Sequence, residues 1–272
     1  ALPIAHIIQR LARETVEGFG NFRFAMLACV PAGSPFFPTA YHRGPTSISL
    51  GLQGAALVQE AIDQARSASA STPSATSPLA PLPPQQITRA VRETLTTSMQ
   101  PVVALAQQYV QEQHLHFSGL DLSPAPMGEV SIASAIEACG YGPLGASGTL
   151  TAVGALTTAL KSVPLPLCGY NGLMLPVLED AILGQRWAEG RVNAQQLLLY
   201  SAVCGTGLDT IPLPGESDPA LIARILLDVA TLAVRYQKPL SARLFPVPGR
   251  QSGDLTYFTS PYLTNTRIRS LD

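Results

Sequence analysis

Two stretches of this chain share one pattern, Phe117-Ser-Gly-Leu-Asp-Leu-Ser-Pro-Ala-Pro126 and Cys204-Gly-Thr-Gly-Leu-Asp-Thr-Ile-Pro-Leu-Pro214. Each carries Gly-Leu-Asp at the close of an apolar run. Each then has a polar residue and two prolines spaced by one, and each leads into a helical segment. A strand, a shaped loop and a helix, repeated, point to an α/β architecture with parallel strands. In such folds ligands bind beyond the carboxyl ends of strands. That places Asp121 and Asp209 in one crevice, with Gly119 and Gly207 as ligand-binding residues of the same loops. Paired carboxylates suit a divalent metal, or acid–base work where their environments differ. The competing structural role is for each Asp to hold its own loop by accepting nearby backbone N–H groups.

Working outward, the pattern predicts a helix over residues 2–17, with Ile4, Ile7, Ile8, Leu11 and Thr15 on one face. Strands are expected at Phe22–Val30, Ser47–Gly51, Leu115–Leu120, Val163–Cys168 and Leu240–Val247, the fourth shortened by Pro164 and Pro166. Another is expected over the last half of Gln195–Cys204. Helices are expected from about residue 52 to Arg66, at Ile87–Gln113 with a kink at Pro101, and at Val130–Ala138, Thr149–Lys161 and Leu175–Glu189. The clearest begins at Asp218-Pro219, a capping residue followed by a first-turn proline. The aromatic, proline-rich loop with Phe36, Phe37 and Tyr41 reads as site-forming. Residues 67–85 are rich in Ser and Pro and hold no charge, so they read as a flexible insertion in a single domain spanning 1–272.

Composition narrows the function. Charged residues make up 13%, about half the usual share of ~25%, so part of the surface is expected to be covered in a homo-oligomer. A net charge of −1 and the lack of a basic run exclude a nucleic-acid partner. No apolar stretch reads as a membrane span. The four cysteines form no CxxC pair, which fits a reducing, cytoplasmic setting. A start at Ala1 without Met is read as a shortened chain.

Three further features bear on chemistry. Cys168 ends an apolar run before Gly-Tyr-Asn-Gly, so Cys168 is a candidate nucleophile and Asn171 a candidate ligand-orienting residue. Asn171 equally suits a left-handed turn. Arg243 lies inside an apolar strand, where a cation needs an acidic partner or an anionic ligand; Asp121 or Asp209 is the expected partner. His42 is a weak general-base candidate in an exposed loop. Glu179-Asp180 is placed in a helix, facing solvent or capping a neighbour.

The two Gly-Leu-Asp segments, with Phe245-Pro-Val-Pro-Gly-Arg250 and Pro35-Phe-Phe-Pro-Thr-Ala-Tyr41, resemble uncharacterised protein family 0210, also called domain of unknown function 711. The resemblance runs in order through nearly the whole chain except the Ser/Pro-rich stretch, and the family's opening strand and helix would precede Ala1. It implies a barrel of alternating strands and helices similar to that of glycyl radical enzymes, with fewer strands visible here. It does not imply their chemistry: Arg191-Val192-Asn193-Ala194 lacks the radical glycine, and no cysteines are adjacent. No cofactor and no catalytic residue carry over. The expectation is a small-molecule enzyme at the two Gly-Leu-Asp loops. The alternatives are a non-catalytic metabolite-binding or regulatory module and a structural oligomer subunit.

Overall fold

The structure, a computed structural model, describes residues 1–34, 41–70 and 80–270. Phe36, Phe37 and the middle of the Ser/Pro-rich insertion lie outside the described residues.

Two parallel strand pairs form, one on each side of the chain's centre. Strands β2 (Ser47–Gly51) and β3 (His116–Asp121) pair in parallel, and helices α2 (Ala55–Ala70) and α3 (Pro84–Glu112) make the crossover between them. Strands β4 (Gly207–Pro214) and β5 (Leu240–Val247) also pair in parallel, with α8 (Pro219–Tyr236) as the crossover. Strand β1 (Met26–Ala28) adds antiparallel to the far edge of β5, so β5 is central and all of its residues are buried. That burial on both faces is why β5 reads as a nearly unbroken apolar run.

The chain is therefore mixed α/β, in a three-stranded and a two-stranded sheet, and no closed barrel forms among the described residues. Single bridges tie the two sheets along one arc: Leu120 to Leu167, and Pro176 to Asp209. The strand expected at Val163–Cys168 is reduced to the first of these bridges, since Pro164 and Pro166 cannot donate to a ladder.

Several elements differ from expectation for identifiable reasons. Helix α1 (Leu2–Glu14) buries Ala5, Ile8, Gln9 and Ala12, while Ile7 is exposed. Small residues on that stripe let α1 lie close against α8 and β5. The expected strand 22–30 is reduced to β1; its first two residues close a 3-10 segment, Val16–Arg23, within which Thr15 Oγ1 accepts from Gly20 N. The expected helix 175–189 shrinks to α6 (Ala181–Ala188), because residues 176–177 lie extended along β4, with Val177 N donating to Asp209 O. Helix α7 (Ala194–Tyr200) starts on a capping box between Asn193 and Gln196, and a turn follows it where a strand was expected. Of the residues expected in the insertion 67–85, those up to Ala70 belong to α2 and those from Pro84 to α3, and Gln86 Nε2 reaches back to Ser69 Oγ at 2.6 Å.

Helix α4 (Ile132–Ala138) packs against α2, and α5 (Thr149–Lys161) against α3, filling the main core. A second, smaller core gathers Leu178, Phe245, Val247, Phe258, Leu263 and Ile268, with Phe19 and Phe22 on its margin. It seats the C-terminal segment against the end of β5, beside the candidate site.

Candidate functional site

The two Gly-Leu-Asp segments occupy different positions. Gly119-Leu120-Asp121 ends β3, as expected, whereas Gly207-Leu208-Asp209 opens β4. A register irregularity follows in β4 between Leu208 and Ile211, with Thr210 at φ 42°. The two carboxylates thus arrive from opposite ends of their strands. Gly119 and Gly207 serve close packing of backbone: a Cβ on Gly119 would sit 2.8 Å from Pro166 O, and one on Gly207 2.1 Å from Ser241 O.

Asp121 is buried and holds two loops together. Its Oδ1 accepts from Ser123 N at 2.9 Å, Ser123 Oγ at 2.6 Å and Asn171 N at 3.1 Å, while Oδ2 accepts from Tyr170 N at 2.9 Å. Asn171, left-handed at φ 48°, returns the contact by accepting from Leu122 N at 2.9 Å and donating to Cys168 O at 2.9 Å. One residue further on, Gly172 crosses Gly205 so tightly that a Cβ on Gly172 would lie 2.2 Å from Gly205 Cα.

Arg243 stands in β5, 1% exposed, and finds partners on three sides. Its Nε donates to Asp209 Oδ1, its Nη2 to Glu179 Oε1, and its Nη1 to Phe22 O at 3.1 Å. The guanidinium also lies 5.2 Å from the centre of the Phe22 ring. Burial pushes the Glu179 carboxyl up and Arg243 pulls it down; with Asp209 adding to the rise, the net is about 7. Two buried polar atoms nearby have no hydrogen-bonding partner, Asp209 Oδ2 and the Tyr170 hydroxyl. Burial pushes that hydroxyl up, with the charges of Asp121 and Asp209 adding.

A cavity of about 280 Å³ opens on this cluster. Its polar lining comes from Asp121, Ser123, Glu179, Arg243 and Gln53, and its apolar wall includes Phe22, Leu52 and Met174. Asp121 and Arg243 therefore meet in one cavity, and Asp209 joins them through Arg243. Asn171, Gly119 and Gly207 do not line it. Cys168 does not line it either, and burial, with Asp121 adding, pushes its thiol up to about 11 against a hydrogen bond to Ser49. At neutral pH that thiol keeps its proton, which removes the thiolate a nucleophile needs. His42 is exposed. Among the described residues no group of three or more His, Cys, Asp and Glu side chains is arranged to hold a metal ion. Asp121 and Asp209 remain the carboxylates that sequence reasoning offers for one.

Glu179 is the cavity residue that sequence reasoning misplaced. An apolar period through 175–189 favoured a helix with Glu179 on its surface; Pro176 was the available sign of extended backbone there. Its neighbour Asp180 is fully buried and accepts from Ile132 N at 2.8 Å, Ala133 N at 3.2 Å and Leu183 N at 2.9 Å. It thereby caps α6 and also takes the first N–H groups of α4, whose own cap is Ser131.

Fold and site define a mixed α/β chain whose buried carboxylate–guanidinium cluster borders a small cavity. The chain belongs to the family described as uncharacterised ACR (DUF711), whose profile matches residues 1–260. It is 33% identical over 245 residues to a UPF0210 protein of Pyrobaculum arsenaticum, covering 85% of this chain and 51% of that protein. A UPF0210 protein of Clostridium beijerinckii is 28% identical over 266 residues, covering 94% of this chain and 56% of that protein. The chain thus spans about half the length of the curated relatives it matches.

Proposed function

We propose that the chain contributes a small-molecule site to a metabolite enzyme, with Glu179 as its acid–base group. The observation that carries this reading is a carboxyl in a cavity wall, raised to about 7, beside a buried guanidinium and a second carboxylate. A group that titrates near neutrality both gives and takes a proton at working pH, which is what general acid–base catalysis requires. Arg243 and Asp209 fix its position, and Asp121 with Ser123 shapes the opposite lining. In this reading the bridges at Leu167 and Pro176 are joints in the wall of a barrel like that of glycyl radical enzymes, without radical chemistry.

The test is a thermal-shift screen of the protein and its Glu179→Gln variant against divalent metals, small carboxylates, phosphates, amino acids and amines. A ligand present at 100 times its Kd stabilises by about 2.7 kcal/mol, a visible rise in melting temperature. The expected result is a compound that stabilises both proteins and is turned over by the parent alone. Binding without turnover in either protein would instead favour a metabolite-binding module. No shift with any compound removes the small-molecule reading.

A further inference from the structure

Thr210 stands in β4 with its backbone in the left-handed region, at φ 42°. It is fully buried, and it is the one β-branched residue with positive φ among the described residues. A branched Cβ makes that conformation costly, and glycine or asparagine is its usual occupant. Such strain persists only where surrounding contacts hold it, and it gathers at functional sites.

The strained backbone changes where two neighbouring side chains go. In a regular strand Asp209 and Thr210 would point to opposite faces. Here the ladder with β5 is interrupted between Leu208 and Ile211, and both side chains converge on one ion pair. Arg243 donates from Nε to Asp209 Oδ1 and from Nη2 to Glu179 Oε1. The Thr210 hydroxyl bonds the acidic member of that pair, Glu179. It also accepts from Leu178 N at 3.3 Å. That contact takes up a lone pair and leaves the hydroxyl its single hydrogen to give, which an ionised carboxylate accepts. Irregularities of this kind re-aim side chains beside active sites.

We propose that Thr210 is the positioning residue of Glu179: its hydroxyl, oriented by Leu178 N, supplies the carboxylate with a fixed donor and holds it against Arg243. The left-handed backbone at Thr210 delivers that hydroxyl. Glu179 lines the cavity and Thr210 does not, so Thr210 acts on a ligand only through Glu179. The charged groups around the Glu179 carboxyl are Arg243 of β5 and Asp209 of β4, with Asp121 of β3 in the wall of the same cavity. Thr210 is the neutral donor among them. A donor to the ionised form lowers the carboxyl's affinity for a proton, against burial, which raises it. This deepens the acid–base reading of Glu179 and rests on it.

The test follows Glu179 directly, by carbon-13 NMR of the glutamate carboxyls as pH is varied, its signal assigned by loss in Glu179→Gln. The parent is compared with Thr210→Val, Thr210→Ser and Thr210→Gly. Valine keeps the shape and loses the hydroxyl, whereas serine keeps the hydroxyl. Glycine loses the hydroxyl and suits the left-handed backbone, so it gives a readout even if Thr210→Val fails to fold. Loss of the hydroxyl is expected to raise the Glu179 midpoint by about 0.5–1 pH unit. Thr210→Ser is expected to keep the parent's midpoint. A parent midpoint near 7 that Thr210→Val and Thr210→Gly leave unmoved or lower overturns the role of Thr210 and leaves the acid–base reading standing. So does a rise in Thr210→Ser as large as that in Thr210→Gly. A parent midpoint at the ordinary 4.5 overturns the acid–base reading and the role of Thr210 with it.

Discussion

At the scale of single residues, the site shows how one cation organises several acids. Glu179 is held near 7, well above its ordinary 4.5. Between these values the folded protein keeps a proton that the unfolded chain has lost. Its contribution to stability is thus fully present below about 4.5 and falls away as pH rises to about 7. The slope over that window is roughly 1.4 kcal/mol per pH unit for one proton. Glu179→Gln removes it, so urea denaturation should find the variant gaining on the parent steadily from acid to neutral pH. A constant difference between the two across that range would contradict the raised carboxyl. Sequence made Asp121, Asp209 and Arg243 legible, because a polar residue inside an apolar run is conspicuous whatever its purpose. It did not reveal that Asp209 rather than Asp121 pairs with Arg243. That choice depends on strand register, and a one-residue irregularity after Leu208 resets it. Glu179 was hidden because helical periodicity and an extended, capped segment look alike over so short a span.

At the scale of elements, Asp180 and Asp218 make a controlled comparison. Asp218 caps α8 alone and from an exposed position, accepting from Ala220 N at 2.8 Å. Asp180 caps α6 from full burial and also accepts from the first N–H groups of α4, beside that helix's own cap Ser131. Asp218→Ala should cost about 1 kcal/mol. Asp180→Ala should cost that for α6, plus about 1–3 kcal/mol for the buried first-turn N–H groups of α4 left unmatched. Chemical denaturation of the two variants checks the order; equal losses would mean that α4 starts without help from Asp180. The elements most legible in the sequence were those fixed by local chemistry. Helix α8 has its Asp-Pro start, β5 its nearly unbroken apolar run, and α5 its uninterrupted span up to Lys161. Those misjudged were fixed by distant partners. The turn after α7 and the start of β4 depend on Ser241 N and its hydroxyl, which bond Thr206 O at 2.9 and 2.7 Å. No window of local sequence contains that contact.

At the scale of the whole molecule, the joining of the two parallel pairs matters most. Bridges at Leu167 and Pro176 bring both sheets onto one connecting segment, residues 163–180, and the cavity opens beside it. Within that segment Gly172 meets Gly205 backbone to backbone. Gly172→Ala should therefore destabilise by several times the roughly 1 kcal/mol that such a change costs in an open site, read as a lowered midpoint in urea. A stability within about 0.5 kcal/mol of the parent would show that the crossing yields easily. The crossing has a mechanical meaning as well. Side chains in contact slide by changing rotamer, but two glycines have no rotamers to change, so the joint behaves as a stiff hinge pin with almost no play. One arm carries Tyr170 and the Asp121 loop, and the other leads within a few residues to Asp209. The Asp121 loop and the start of β4 are thereby pinned at one fixed spacing.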